Sequence, residues 1–226
     1  MLFSITTLYA QSEKSKHLEI GLSALFWNPS SLHLKATNTT TTIRPPSGNP
    51  YSVGAMSGYG NGFAPMFFAK YYFNDNLGIA FRFHAIHLLN ELTVNTTDTS
   101  FEEYGNEAFI PRFSLGLAGK FGKTSSIKPF YELGATFIPG YDLEMRYHTN
   151  NYHPQDFNAD GSALGLYFVA GIDIKLFKFI YLNTAFNYSF IPTSLDYTQT
   201  SGNAEMVEDT DLGGFGVQVG LTLKFL

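Results

Sequence analysis

The sequence contains no cysteine and few charged residues. The lack of cysteine excludes disulfide scaffolds, thiolate metal sites and cysteine nucleophiles. Asp, Glu, Lys and Arg make up 15% of the 226 residues, against about 25% in soluble domains, so a soluble fold would have too few charges to cover its surface. The net charge is −5, which gives nucleic-acid binding no electrostatic basis. We therefore expect no nucleic-acid partner.

Long apolar runs are also missing. No stretch approaches the roughly 18 consecutive apolar residues of a transmembrane helix, which excludes a helical span. The first ten residues, MLFSITTLYA, are apolar and end at Ala10, as in the apolar core and cleavage site of a secretory signal. The basic start of such a signal is missing, so we expect a truncated one. The expected organisation is a signal peptide at 1–10 and one domain at 11–226.

Aromatic residues and a period of two are abundant instead. The chain has 22 Phe and 14 Tyr. Apolar and polar residues alternate over eight segments, as in strands with one apolar face, and about 11 residues is the length that a tilted strand needs to cross a bilayer. The eight segments are 17–27, 63–73, 77–90, 109–121, 128–141, 164–176, 180–190 and 215–225.

The connections between these segments alternate between short and long. Bacterial up-and-down barrels have short periplasmic turns and long extracellular loops, so we expect the long loops outside the cell and both termini in the periplasm. The short connections are 74–76, 122–126 and 177–179, and the long ones are 28–62, 91–108, 147–163 and 191–213.

The apolar face is expected to point outward. An eight-stranded barrel has an interior just wide enough to be filled by side chains, and the apolar face carries too many Phe and Tyr to fit inside. The sequence therefore predicts an all-β fold, an eight-stranded antiparallel up-and-down transmembrane β-barrel. Aromatic residues near the strand ends fit the two interfacial belts of such barrels. They are Phe63, Phe73, Phe109, Phe121, Tyr141, Phe190, Phe215 and Phe225.

Three segments resemble the small outer-membrane barrels of the OmpA, OmpX and OmpW type. They are YYFNDNLGIAFRF at 71–83, KPFYELGATF at 128–137 and the closing strand GVQVGLTLKFL at 216–226. The resemblance covers about residues 17–226. It implies the outer membrane of a Gram-negative bacterium, contact with lipid and lipopolysaccharide, and delivery by the barrel-assembly machinery. The closing strand looks like the C-terminal signal that this machinery reads, although that signal usually ends on an aromatic residue and this one ends on Leu226.

Charged residues recur on the face expected to line the lumen. Buried charges must be paired, so we expect either a network of ion pairs that plugs the barrel or a polar path that cradles a ligand. The candidate network consists of Glu19, Lys70, Arg82, Arg112, Lys120, Glu132, Asp173 and Lys175.

The inward positions near the expected outer end are apolar. The resemblance to OmpW implies an alternative function there, a conduit for small apolar molecules with a dry pocket in the outer half of the lumen. The candidate ligand residues are Leu25, Trp27, Met66, Phe68, Ile86 and Leu88.

A motif in the third predicted loop resembles half of a calcium loop. Asp156, Asn158, Asp160 and Gly161 match the first half of the Asp-x-Asn-x-Asp-Gly pattern. The twelfth position is Tyr167 rather than the bidentate Glu, and ordinary surface turns use the same residue types. A weak calcium site and a tight turn are therefore the two interpretations, and no other cofactor is expected.

No catalytic arrangement is evident in the sequence. A serine hydrolase needs a serine, a histidine and an acid that meet, and none of the six histidines stands in the His-x-Ser pair of barrel lipid A deacylases. The first hypothesis is a non-enzymatic structural, surface or accessory barrel whose envelope-protein partners are unspecified. The apolar conduit is the alternative, and an outer-membrane lipid-modifying enzyme is a remote third.

Overall fold

The computed structural model describes residues 16–29, 41–43, 51–53, 62–97, 100–121, 126–149, 152–199 and 205–225. The predicted signal peptide at 1–10 lies outside these residues. Within the described part of the chain, no helix is long and apolar enough to cross a membrane.

The described residues form twelve β-strands. They are β1 (His17–Pro29), β2 (Thr41–Ile43), β3 (Tyr51–Val53), β4 (Gly62–Tyr72), β5 (Leu77–Thr97), β6 (Ser100–Lys120), β7 (Ile127–Thr149), β8 (Tyr152–Lys175), β9 (Ile180–Phe190), β10 (Pro192–Gln199), β11 (Glu205–Asp211) and β12 (Gly214–Phe225).

Eight of these strands close into a barrel. Each pairs antiparallel with its neighbours in the order β1-β4-β5-β6-β7-β8-β9-β12, and β12 returns to β1. Leu22 of β1, for example, stands opposite Phe67 of β4 on one side and Leu221 of β12 on the other. Closure gives every barrel strand two neighbours and removes the free sheet edges that lipid would penalise. The predicted eight-stranded antiparallel up-and-down barrel is confirmed.

Side chains alternate across the wall of the barrel. Outward positions carry large apolar residues, and Leu22, Leu115 and Leu166 expose more than 60% of their surface. An exposed apolar surface that runs around a whole barrel is far larger than soluble monomers carry. We call this surface the apolar belt. It is the surface that the interior of a bilayer requires.

The apolar belt has a sharp limit on one side of the barrel. On β5 to β8 the outward positions change from apolar to polar at four neighbouring places in the wall. These positions are His87, Glu107, Asp142 and Ser162. We call this end of the barrel the long-strand end, because β5 to β8 continue past the limit of the belt. The opposite end is the short-turn end. The change in polarity is what a strand shows where it leaves the membrane.

Tyr141 departs from the prediction. It was expected in the outward aromatic belt, but its side chain is buried inside the barrel. The pairing of β7 with β8 shifts register between Ile138 and Tyr141, across Pro139 and Gly140. One extra residue in a strand reverses the alternation of the side chains that follow. Tyr141 therefore faces inward and Asp142 faces outward.

The described parts of three predicted long loops, 91–108, 147–163 and 191–213, are mostly strands, and most of the fourth, 28–62, lies outside the described residues. Residues 91–97 and 100–108 belong to β5 and β6, and residues 147–149 and 152–163 belong to β7 and β8, and the pairing of these strands continues well past the apolar belt. Residues 192–199 and 205–211 form the paired strands β10 and β11. The prediction of loops there was wrong because the outward residues become polar, while the backbone ladder that holds a strand does not depend on side-chain polarity.

Candidate functional site: the barrel lumen

A three-membered charge cluster occupies the middle of the lumen. The Glu132 carboxylate accepts hydrogen bonds from Arg82 Nε at 2.5 Å and Arg82 Nη2 at 2.7 Å, and Lys70 Nζ lies 2.9 Å from Glu132 Oε1. All three side chains are almost fully buried. Arg82 Nη1 also donates to Gln218 Oε1 at 2.7 Å. The bidentate geometry of Arg82 and Glu132 is the strongest form of such a pair. Together with Lys70 and Gln218, the pair connects β4, β5, β7 and β12 across the lumen.

A second charge cluster lies nearer the short-turn end. Lys120 Nζ lies 2.5 Å from Glu19 Oε1 and 3.0 Å from Asp173 Oδ2. His17 Nε2 lies 3.2 Å from the same Glu19 oxygen, and Asn183 Nδ2 donates to Asp173 Oδ1 at 2.6 Å. This cluster joins β1, β6, β8 and β9. The two clusters together place charged side chains across the middle of the lumen and across its half toward the short-turn end.

The predicted network also included Arg112 and Lys175, which the structure places differently. Arg112 is buried, but it stands apart from both clusters, with Cζ 4.3 Å from the centre of the Trp27 ring. Lys175 ends β8, and its side chain is exposed, so it joins neither cluster. Water reaches the last residue of a strand, and a lysine there needs no buried partner.

The apolar candidates do come together, in the half of the lumen toward the long-strand end. Leu25, Trp27, Met66, Phe68, Ile86 and Leu88 are buried in one cluster, which we call the apolar cup. Phe68 lies at its base, with its ring centre 4.9 Å from Lys70 Nζ. Sequence reasoning missed the other members, which come largely from the predicted loops and from the shifted part of β7. They are Ala64, Ala108, Ile110, Ile138, Tyr141, Leu143, Ala159, Ala163, Ile191, Leu195, Tyr197 and Leu212.

One small cavity lies between the charge clusters and the apolar cup. Its volume is about 20 Å³, which is room for one water molecule. Arg112, His84, Ser114, Thr136 and Trp27 contribute to its lining. Among the residues that the structure describes, the charge clusters and the apolar cup occupy the lumen on either side of this cavity.

Comparison with known proteins gives the fold. No family model and no curated protein matches the sequence. Among solved structures, OprG from Pseudomonas aeruginosa matches with a TM-score of 0.56 at 14% identity, over 95% of this chain and 98% of that chain. A major outer membrane protein from Thermus thermophilus matches with a TM-score of 0.48 at 9% identity, over 92% and 99% of the two chains.

The chain has the fold of the small outer-membrane β-barrels. This statement rests on the OprG match and on the closed barrel with its apolar belt. At 14% identity the likeness carries no information on what the protein binds or does.

The wall of this outer-membrane-type barrel is interrupted at one place near the apolar cup. Phe190 of β9 pairs with Leu166 of β8, and Thr198 of β10 pairs with Asn158 of β8 in the same register. Between these points the described strands show no pairing of β10 with β8, while β10 keeps its pairing with β11 along its other edge. Tyr141 Oη donates to the carbonyl oxygen of Ser194 at 3.5 Å and so contacts β10 from inside the barrel at this interruption.

The predicted calcium segment is not a loop. Asp156, Asn158 and Asp160 lie in β8, extended and paired with β7. A calcium loop must curl so that successive oxygens meet at one ion, and a paired strand holds them in a line instead. In the part of the chain that the structure describes, no group of three or more His, Asp or Glu residues is placed to hold a metal.

Proposed function

We propose that the protein is an integral outer-membrane barrel with a non-enzymatic structural, surface or accessory role, whose lumen is closed to hydrophilic solutes. The observation that carries this proposal is the bidentate pair of Arg82 and Glu132 at the centre of the lumen, with Lys70 on the same carboxylate. A hydrated ion or sugar would have to separate these charges, and breaking a buried pair costs about 3–5 kcal/mol.

The proposed orientation follows from the two ends of the barrel. The long-strand end faces the cell exterior and the short-turn end, with both termini, faces the periplasm. This arrangement is supported by the general layout of bacterial barrels and by the polar outward residues beyond the belt, such as Glu107 and Asp142. The partners proposed with it are membrane lipid, lipopolysaccharide and, during assembly, the barrel-assembly machinery.

The closed lumen is tested by conductance. The purified chain is folded into a planar bilayer, with the mobility shift of the unheated sample on an SDS gel as proof of folding. We expect the wild-type barrel to carry no steady current, because the charge clusters fill its centre. The double variant Arg82→Ser and Glu132→Ser removes one charge of each sign and should leak small ions. A stepwise, ohmic current through the wild-type barrel would contradict the proposal.

A second function, a conduit for small apolar molecules, is favoured by the apolar cup. An apolar molecule in the cup meets buried charges below it, so passage straight through the barrel is blocked. The interrupted pairing of β8 with β10 gives a sideways route into the bilayer instead. The conduit function is therefore compatible with a lumen that is closed to water. It adds a path for apolar solutes between the charge clusters and the long-strand end.

Leu88→Asp tests the conduit. Leu88 is buried in the cup, and a carboxylate in an apolar site costs well over the roughly 1.4 kcal/mol that corresponds to a tenfold change in affinity. Uptake of a small apolar dye by intact cells that express the variant should fall about tenfold. The control is Asp160→Asn, an exposed position outside the belt, which should leave uptake unchanged. Equal uptake by wild type and a folded Leu88→Asp barrel would rule the conduit out.

A further inference from the structure

Arg112 is a buried cation whose partners do not neutralise it. It is 1% exposed, and its guanidinium donates to the carbonyl of Leu212 and to Ser189 Oγ and lies over the Trp27 ring. Within the described residues no carboxylate lies within 4.0 Å of it. Asp211 attracts it from farther away, but Asp211 Oδ1 already accepts the N–H groups of Ile191 and Gly213.

The charge balance of the lumen points to the same residue. Among the described side chains, four cations and three carboxylates are buried in the barrel, namely Lys70, Arg82, Arg112 and Lys120 against Glu19, Glu132 and Asp173. The carboxylates are all in contact with the other three cations. Arg112 is therefore the buried cation without a carboxylate in contact; the half-buried Asp211 attracts it only from a greater distance, and a buried charge without a close counter-charge is costly.

The small cavity beside Arg112 is also rich in unused hydrogen-bonding atoms. In the described structure Arg112 Nε, both ring nitrogens of His84 and Tyr167 Oη are buried and have no hydrogen-bond partner, and all three residues line the 20 Å³ cavity. The hydroxyls of Ser114 and Thr136 complete the polar part of the lining and lie 2.8 Å from each other. Buried polar atoms without partners are rare and call for an explanation. A single water molecule would satisfy some of these atoms and leave the charge unbalanced.

We propose that this cavity is an anion-binding site, in which Arg112 and His84 bind one small monovalent anionic group inside the barrel. The volume limits the ligand to a group of atomic size, such as a halide ion or the end of a carboxylate. The carboxylate can belong to a free small acid or to an apolar acid whose chain lies in the apolar cup, since Leu25, Trp27 and Met66 line the same cavity. The site is independent of the proposed closure of the lumen, so its loss would leave the conductance result unchanged.

Trp27 reports on this site directly. It is the only tryptophan of the chain, and its ring lies against the Arg112 guanidinium. The folded barrel in detergent is titrated with bromide, with gluconate held in exchange to keep the ionic strength constant, because bromide quenches tryptophan and gluconate is too large for the cavity. We expect saturable quenching. In Arg112→Gln the affinity should fall at least about tenfold, while Arg146→Gln, an exposed arginine outside the belt, should bind as the wild type does.

Formate and decanoate, the latter below its micelle-forming concentration, distinguish the two sources of the anion. Competition with bromide by both acids indicates a free small anion, and competition by decanoate alone indicates an apolar acid; either supports the site. Quenching that is linear and equal in wild type and Arg112→Gln overturns it. If Arg112→Gln does not fold, urea unfolding of the wild type decides, because a bound anion stabilises the folded state. A higher midpoint in chloride than in gluconate supports the site, and equal midpoints overturn it.

Discussion

Replacing Glu132 with Gln should lower the free energy of unfolding by about 3–5 kcal/mol. The substitution keeps the size of the side chain and removes its charge, so Arg82 and Lys70 are left as buried cations beside a neutral amide. In the described lumen no other carboxylate forms an ion pair with either cation. The measurement is a urea titration of the barrel folded into lipid vesicles, followed by the mobility of unheated samples on SDS gels.

The matched control is Glu144→Gln on the same strand. Glu144 forms a comparable pair with Arg146, at 2.6 Å and 2.7 Å, but 30% of the Glu144 side chain and 43% of the Arg146 side chain are exposed to water. The hydrogen bond from Arg146 lowers the pKa of Glu144, so the pair stabilises the fold above the ordinary pKa of a Glu and loses this contribution as the pH falls through the lowered value. Exposed pairs contribute about 0–1 kcal/mol. Equal losses in the two variants would show that the lumen is wet.

Leu133→Arg should destabilise the barrel in a bilayer by about 2–4 kcal/mol. Leu133 follows Glu132 in β7 but points to the other side of the wall, where 56% of its surface is exposed in the apolar belt. An arginine there places its charge among lipid chains. The same urea titration in vesicles measures the effect, and Asp142→Arg, an outward position beyond the limit of the belt, should cost no more than about 1 kcal/mol.

If Leu133→Arg left the free energy of unfolding unchanged, the outward face of β7 would have to meet water rather than lipid. The comparison with Glu132→Gln is informative, because both substitutions are expected to lower the free energy of unfolding by several kcal/mol for opposite reasons. At position 132 a charge is required, and at position 133 a charge is excluded.

The period of two was enough to predict the barrel from the sequence. The apolar face of each strand must meet lipid and the opposite face a narrow lumen, so alternation, strand length and turn positions are all constrained by the same surface. Of the eight predicted network residues, seven are buried in the lumen and Lys175 is exposed; the seven are Glu19, Lys70, Arg82, Arg112, Lys120, Glu132 and Asp173. Their pairing was not predicted, because Arg82 and Glu132 meet across the lumen and contact across a barrel depends on strand register and side-chain reach.

The sequence was less informative beyond the apolar belt. Leu195 and Tyr197 line the apolar cup, but they stand among polar residues in a segment that composition marks as a loop. Tyr141 was placed on the wrong face because a single extra residue, at Pro139 and Gly140, leaves no clear trace in the pattern. Both errors arise where lipid no longer constrains the outward face. There the polarity of the side chains no longer predicts which residues lie in paired strands.

The most direct test of the membrane-spanning barrel is a spin-label scan along β7. The chain has no cysteine, so each residue from 130 to 142 can be replaced singly by cysteine and labelled after folding into vesicles. We expect high accessibility to oxygen at Tyr131, Leu133 and Phe137, low accessibility at Glu132 and Thr136, and access of a water-soluble nickel chelate at Asp142. Access of the nickel chelate to positions 131, 133 and 137 would contradict the account, because it would place the apolar belt in water.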